Sequence, residues 1–447
     1  MAYKVGFISL GCAKNQVDCE QMMFRMQEAG FDVLPGVDGA DLVVINTCGF
    51  IDSAKSEAID HILAMGELKA AGRIGRILVT GCLAQRYQQQ ILDELPEVDG
   101  VLGTGSYFDV VPAALELLEE RKSVARYGDI NAAMPECGRI LTTPSYFAYL
   151  KIAEGCSNRC AYCVIPQLRG KYRSRQMSDI LEEARLLASQ GVRELIVVAQ
   201  DTTLYGVDLP GHRKRLPELL RELCRIDGIH WVRVHYMYPE VMTEELIETF
   251  AREEKLVEYF DIPIQHVNDN ILKAMNRRGS KAYLQELFDK IRDRVDDCVI
   301  RTSLIAGLPG EDDAAFTELC DFLKEYRLER VGAFVFSPEE GTPAAEMERP
   351  DEDVARERAK IIEQLQSRVM DDWCLSKLGE EIEVLCEGFD ETENLYYGRS
   401  RWDSPDIDSK VWFESVLDVA PGTFVTVAVE QVKDGELMGT CIGEVEG

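Results

Sequence analysis

The sequence predicts an α/β protein in three parts: an N-terminal parallel α/β sandwich, a central partial (β/α)6 barrel and a small C-terminal five-stranded β-barrel. Three observations predict it. Short apolar runs alternate with helix-period stretches over the first 120 residues, the alternation of a parallel sheet covered by helices. The alternation recurs six times between residues 146 and 345, as in a strand–helix barrel. After a long charged helix the pattern changes to short β runs separated by Gly and Pro turns.

Residues 3–120 carry candidate strands at Lys4–Leu10, Asp41–Asn46, Arg76–Thr80 and Gly100–Leu102. Helical patterns lie near Gln16–Ala29, Ser53–Ala70, Ala84–Leu92 and Phe108–Glu119. Residues 121–145 read as a linker, with Gly128, Pro135, Gly138 and Pro144 and no sustained period. The central part, residues 146–372 with its trailing helix, holds strands at Ala148–Ile152, Glu194–Ala199, Trp231–Tyr236, Tyr259–Ile264, Val299–Ile305 and Arg330–Phe336. Helices are expected at Asp179–Ser189, Ala314–Tyr326 and Asp351–Lys377. Residues 375–443 hold five short strands: Glu381–Cys386, Tyr396–Arg401, Phe413–Val416, Thr423–Val429 and Met438–Gly443. Ligands of such parallel sheets and barrels sit beyond the carboxyl ends of the strands.

Composition narrows the function classes. Of 447 residues, 46% are hydrophobic and 29% charged, as in a globular protein, and no apolar stretch is long enough to span a membrane. Val5–Leu10 lacks the flanks of a secretory signal, so a cytoplasmic location is expected. There the fourteen cysteines should stay reduced, and clustered ones read as metal ligands rather than disulfides. The net charge of −30 opposes nucleic-acid phosphate and favours basic protein partners.

The sharpest motif is Gly155-Cys156-Ser157-Asn158-Arg159-Cys160-Ala161-Tyr162-Cys163, directly after a predicted strand. Three thiolates at Cys-x3-Cys-x2-Cys spacing can hold three irons of a four-iron, four-sulfur (4Fe–4S) cluster, leaving the fourth iron open. S-adenosylmethionine (SAM) can chelate that iron, and one electron then yields a 5′-deoxyadenosyl radical. No fourth Cys or His lies at zinc-site spacing. A second set is dispersed: Gly11-Cys12, Cys48-Gly49 and Gly81-Cys82 each fall at the carboxyl end of a predicted parallel strand. Neighbouring strands lie about 5 Å apart, so three such ends can meet at one point. Buried cysteines packed as small hydrophobes are the alternative there. The remaining cysteines share no pattern, although Cys19 sits two helical turns after Cys12. His266 reads as a hydrogen-bonded structural histidine.

These residues resemble the radical SAM methylthiotransferases over the whole chain. Cys12, Cys48 and Cys82 match the family's N-terminal domain with its auxiliary cluster; Leu150–Cys156 through Arg173-Ser174-Arg175 match the radical SAM core; the C-terminal barrel is similar to a TRAM domain, the substrate-binding module. The resemblance implies two 4Fe–4S clusters and two SAM molecules. One SAM methylates a sulfur held at the auxiliary cluster, and the other supplies the radical that opens an unactivated C–H bond, which no general base could reach. By position it also implies SAM contacts at Tyr162, at Gln200 and Asp201 after the second barrel strand, at Gln265 after the fourth, and at Ile305 and Gly307 at the fifth.

The family has two main substrates, an adenosine in transfer RNA and an aspartate in ribosomal protein S-twelve. Residues 375–447 contain five basic and seventeen acidic residues, a balance of −12 that suits a basic protein and disfavours direct RNA binding. Ser9-Leu10-Gly11-Cys12-Ala13-Lys14-Asn15-Gln16-Val17-Asp18 is similar to the ribosomal-protein subgroup, whereas the transfer RNA subgroup usually has Gln and Met after this cysteine. Cys19 departs from the family's usual Ser and adds a thiol near the auxiliary cluster. The expectation is therefore 3-methylthioaspartate formation on S-twelve, with N6-modified adenosine of transfer RNA as the alternative. A flavodoxin- or ferredoxin-type electron donor, a separate sulfur donor and a monomeric chain complete it.

Overall fold

The computed structural model describes residues 2–445. Six strands form the N-terminal sheet: β1 (Lys4–Ser9), β2 (Asp32–Val33), β3 (Leu42–Thr47), β4 (Arg76–Gly81), β5 (Gly100–Leu102) and β6 (Val124–Arg126). They are all parallel, in the order β2-β1-β3-β4-β5-β6. The period of two divides their side chains between two cores. Leu42, Val44 and Leu78 face one helix layer, while Val43, Ile45, Ile77 and Val79 face the other.

The structure corrects several expectations here. β6 lies inside the stretch read as a linker; its backbone pairs with β5, a register no local pattern discloses. The rest of that stretch is pinned rather than loose. Arg139 bridges Glu20 (3.0 Å) and Glu183 (2.9 Å), and Glu136 pairs with Arg175 (2.5 Å). The helix expected at Ala84–Leu92 is broken by Gln88, whose φ of 46° lies in the left-handed region, giving Cys82–Tyr87 and Gln89–Glu94. The Phe108–Glu119 pattern is a composite of 3-10, α and π turns over Tyr107–Glu120.

A second sheet follows: β7 (Phe147–Lys151), then a short antiparallel pair β8 (Ala153–Glu154) and β9 (Arg173–Ser174), then β10 (Glu194–Val198), β11 (Trp231–Val234), β12 (Leu256–Asp261), β13 (Val299–Ala306) and β14 (Arg330–Val335). Apart from the β8–β9 pair these strands form one open, parallel six-stranded sheet in chain order, the partial barrel. β12 begins earlier than expected, where Leu256 pairs with Val232 of β11, and it ends at Asp261, shortly before Pro263, which has no N–H for the ladder. Leu150, Leu195, Val197 and Val232 pack outward on helices; Tyr149, Ile196, Trp231 and Tyr259 face inward.

The helix Glu352–Ser376 leads to β15 (Glu381–Asp390), β16 (Leu395–Ser400), β17 (Val411–Glu414), β18 (Phe424–Lys433) and β19 (Glu436–Glu444), a closed barrel in the order β15-β16-β17-β19-β18. It caps the amino-terminal end of the central sheet. Phe413, Phe424 and Val384 share one apolar core with Tyr149, Trp231 and Tyr259. Glu194 of β10, wholly buried, accepts from Arg233 Nε (2.8 Å) and from Arg399 Nη2 of the small barrel (2.7 Å). The loop after β16 reaches into the central barrel: Arg330 pairs with Asp403 (2.8 Å), Ser404 Oγ meets His235 Nε2 (2.9 Å) and the Tyr259 hydroxyl donates to Asp408 (2.5 Å). Among the described residues no helix is long and apolar enough to cross a membrane.

Candidate functional site

β1, β3 and β4 are adjacent, and each is followed at its carboxyl end by one cysteine. Cys12 caps the helix Ala13–Glu28, Cys48 follows Thr47, and Cys82 opens the helix Cys82–Tyr87. Glycine is needed here for close approach. Gly11 has φ +90°, and a Cβ on it would lie 2.7 Å from Cys48 Cβ. Cys12 is exposed, Cys48 half-buried and Cys82 buried. Burial pushes the Cys82 thiol up to about 11, opposed by the Arg169 charge and reinforced by Cys48 and Cys12 nearby. Burial also raises Cys48, with Cys12 again adding to it.

The second trio occupies the loop after β8. Gly155, at φ +75°, passes so close to Lys171 O that a Cβ would lie 2.2 Å from it, and Cys156 N donates to Gly170 O (3.0 Å). Cys163 N donates to Cys160 O (3.1 Å), and Ala161 N to Met275 O (2.9 Å). Burial pushes Cys156 up to about 12 and raises Cys163, each with Cys160 adding its charge. The Tyr238 hydroxyl lies 3.4 Å from Cys160 Sγ.

A buried ionic bridge joins the trios. Arg169 Nε donates to Cys82 Sγ (3.4 Å), Nη1 to Asp18 Oδ2 (2.5 Å) and Glu154 Oε2 (3.2 Å), and Nη2 to Asn15 Oδ1 (2.8 Å). Lys151 pairs with Asp18 and Glu154. Glu154 also accepts from Gly155 N (3.0 Å) and Gln200 Nε2 (2.7 Å), which ties the bridge to the Cys156 loop. The sequence reading assigned no role to Arg169 or Glu154. The available signal was their position, each beside a loop glycine, Gly170 and Gly155.

The other expected residues divide. Gln200 Oε1 is buried without a hydrogen-bond partner, an acceptor suited to an amino group such as that of SAM. Tyr162 and Ile305 pack on one apolar cluster with Met275 and Phe336, a surface suited to an adenine ring, and Tyr162 Oη accepts from Arg277 (3.4 Å). Asp201 is already engaged: it accepts from Asn158 Nδ2 (2.8 Å) and Thr203 N (3.1 Å), and so anchors the cysteine loop. Gln265, at φ +71°, bridges to β13 through backbone bonds with Ser303 and Ile305. Gly307, at φ +81°, lets the Glu352–Ser376 helix pass: a Cβ would lie 2.4 Å from Ala355 Cβ. His266 is structural, accepting from Asn268 N (3.0 Å) beside Glu311. Cys19 points into the apolar core with Val5, Met22 and Val44, where burial pushes its thiol up to about 12, so it belongs to the packing and not to the Cys12 trio.

Among the described residues no three His, Cys, Asp or Glu side chains stand close enough to hold a single metal ion. A 4Fe–4S cluster asks for a different arrangement, since each thiolate binds its own iron around a shared body. Two cysteine-only sets of three, each cradled by glycine backbone, fit that donor chemistry.

The chain is similar to known proteins along its full length. Residues 4–103 match the Uncharacterized protein family UPF0004, residues 150–323 the Radical SAM superfamily, and residues 378–442 the TRAM domain. A protein of Clostridioides difficile (strain 630) named ribosomal protein uS12 methylthiotransferase RimO is 45% identical over 444 residues, 99% of each chain. Its namesake from Thermoanaerobacter sp. (strain X514) is 45% identical over 97% of this chain and 99% of its own. Among solved structures, TsrM, a radical S-adenosylmethionine methyltransferase from Kitasatospora setae with cobalamin and a 4Fe–4S cluster bound, shares the fold. Its TM-score is 0.57, at 15% identity over 77% of each chain.

Proposed function

The chain belongs to the ribosomal protein uS12 methylthiotransferase (RimO) family of radical SAM enzymes, and from that premise we propose that it adds a methylthio group to the β-carbon of an aspartate in uS12 (S-twelve). The observation that carries this reading is the pair of three-cysteine sets joined through one buried ionic bridge. In this reading Cys12, Cys48 and Cys82 hold the auxiliary cluster, and Cys156, Cys160 and Cys163 hold the cluster that binds SAM. When bound, these groups supply one-electron cleavage of SAM and the sulfur of the methylthio group.

The remaining work falls to the chain. Gln200 Oε1 would accept from the SAM amino group, while Glu154 fixes the Gln200 amide by accepting from its nitrogen. Tyr162 and Ile305 give the adenine an apolar wall and exclude water from it. Asp201, through Asn158, holds the Cys156 loop in place. Arg169 donates to Cys82 Sγ and ties the N-terminal domain to the core, so that the two clusters keep a fixed relation. Arg399, Arg401 and Lys377 of the C-terminal region are occupied by Glu194, Glu258 and Asp297, which leaves the outward surface of the small barrel still more acidic and suits a basic ribosomal protein. A flavodoxin- or ferredoxin-type reductant, a separate sulfur donor, a monomeric chain and a cytoplasmic setting complete the proposal.

The test is an anaerobic incubation of the reconstituted protein with reductant, SAM and purified uS12, followed by mass spectrometry of protein and nucleoside. One added methylthio group on aspartate, with 5′-deoxyadenosine formed, is the expected result. Modification of transfer RNA adenosine and not of uS12 would overturn the substrate and leave the chemistry standing.

A further inference from the structure

Among the described residues ten lysines and arginines are buried. Nine have a carboxylate partner: Lys151, Arg169, Arg175, Arg233, Arg277, Arg330, Arg358, Lys377 and Arg399. Lys14 is the tenth, 7% exposed, and among the described residues it forms no ion pair. Burying an unpaired ammonium is costly, and proteins ordinarily pair or hydrate such a charge. Lys14 is two residues from Cys12, in the first turn of the helix Ala13–Glu28. Its side chain crosses from the N-terminal domain to the mouth of the central barrel, where Nζ lies 3.2 Å from the centroid of the Tyr236 ring. The ring face orients the cation without neutralising it.

The carboxylate best placed to neutralise it, Asp261, is already committed. Its Oδ1 accepts from Arg301 Nη1 (2.8 Å) and its Oδ2 from Tyr236 N (2.9 Å). Cys12, the other nearby group whose charge favours the cation, is committed to the cluster in the reading above, so a carboxylate for Lys14 comes from outside the chain. It would arrive beside Cys12, the exposed member of its trio.

We propose that Lys14 receives the side-chain carboxylate of the residue to be modified and thereby selects an acidic residue over its neutral isostere. This rests on the function proposed above. In aspartate the β-carbon is bonded directly to the carboxyl carbon, so a carboxylate held on Lys14 fixes the reacting methylene one bond from the anchoring group and close to Cys12. Lys14 is thus a specificity-determining residue that touches the substrate side chain and takes no proton from it.

The experiment measures the affinity of the reconstituted holoenzyme, with SAM present, for uS12 and for uS12 with the target aspartate changed to asparagine. Wild type is expected to favour aspartate about tenfold. Lys14→Met is expected to bind the two forms alike, and Lys14→Arg to keep most of the preference; iron content and 5′-deoxyadenosine formed without substrate monitor the integrity of both variants. A Lys14→Met protein that keeps the tenfold preference overturns the proposal. So does a wild type that binds both forms equally, an arm that needs no variant and decides the matter if Lys14→Met loses iron. A wild type that neither binds nor modifies uS12 overturns the proposed function instead.

Discussion

Arg169 and Cys82, 87 positions apart in the chain, meet at 3.4 Å, with the guanidinium Nε donating to the thiol sulfur. A cationic donor on a cluster sulfur favours the more reduced, more negative state. Arg169→Met should therefore shift the potential of the auxiliary cluster downward by on the order of 50 mV. The check is an anaerobic redox titration followed by electron paramagnetic resonance. An unchanged potential would show that the contact serves only to dock the domains.

The two trios should load independently. Cys156→Ala and Cys48→Ala should each reduce iron from about eight to about four per chain, and only the first should abolish 5′-deoxyadenosine formation. Gly11→Ala should resemble Cys48→Ala, because the added methyl would lie 2.7 Å from Cys48 Cβ at a φ of +90°. Iron analysis with the SAM cleavage assay reads all three.

Glu194 carries two arginines from different domains, 2.8 Å and 2.7 Å away, with no exposure of its side chain. Glu194→Gln should cost about 3 kcal/mol, since it leaves Arg233 buried without its counter-charge and Arg399 with Glu387 alone. The expected readout is early proteolytic release of the C-terminal barrel and a lower Tm. Replacing all three residues with apolar side chains of similar volume should recover much of the loss.

His235 gives the fold a pH dependence. Burial holds its imidazole at about 4 against the usual 6.5; Arg233, Arg301 and Lys14 reinforce the shift and Asp261 opposes it, while Nε2 meets Ser404 Oγ. The folded protein thus favours the neutral ring. The stabilisation is complete above pH 6.5 and is lost as pH falls toward 4, because the unfolded chain then binds the extra proton. At about 1.4 kcal/mol per pH unit the window is worth about 3 kcal/mol. Urea denaturation at pH 7.5 and 5 should show a steeper loss for wild type than for His235→Gln.

Much of this was legible because local chemistry and topology agree. Cys156, Cys160 and Cys163 lie within eight residues, and a strand leads into them. Cys12, Cys48 and Cys82 are far apart in sequence, yet each ends a strand beside a glycine, and a parallel sheet brings such ends together. What stayed hidden depends on contacts without a sequence period. β6 exists only because β5 offers it an edge, and Gln88 breaks a well-patterned helix by one backbone angle. Asp18 and Arg169 are 151 residues apart, so their pairing could not be read before the domains were docked. Lys14 was visible in its motif, but its lack of a partner is a property of the fold.

The loop from Trp402 to Asp408 has a consequence for how this architecture can be altered. Asp403, Ser404 and Asp408 are held by side chains of three central strands or their ends, Arg330, His235 and Tyr259, so the small barrel also furnishes part of the inner packing of the central one. Grafting a foreign module in place of residues 378–442 would import new inner packing along with a new outer surface. A chimera that keeps the donor's own residues at 194, 233, 235, 259 and 330 would be the smallest unit that can be exchanged intact.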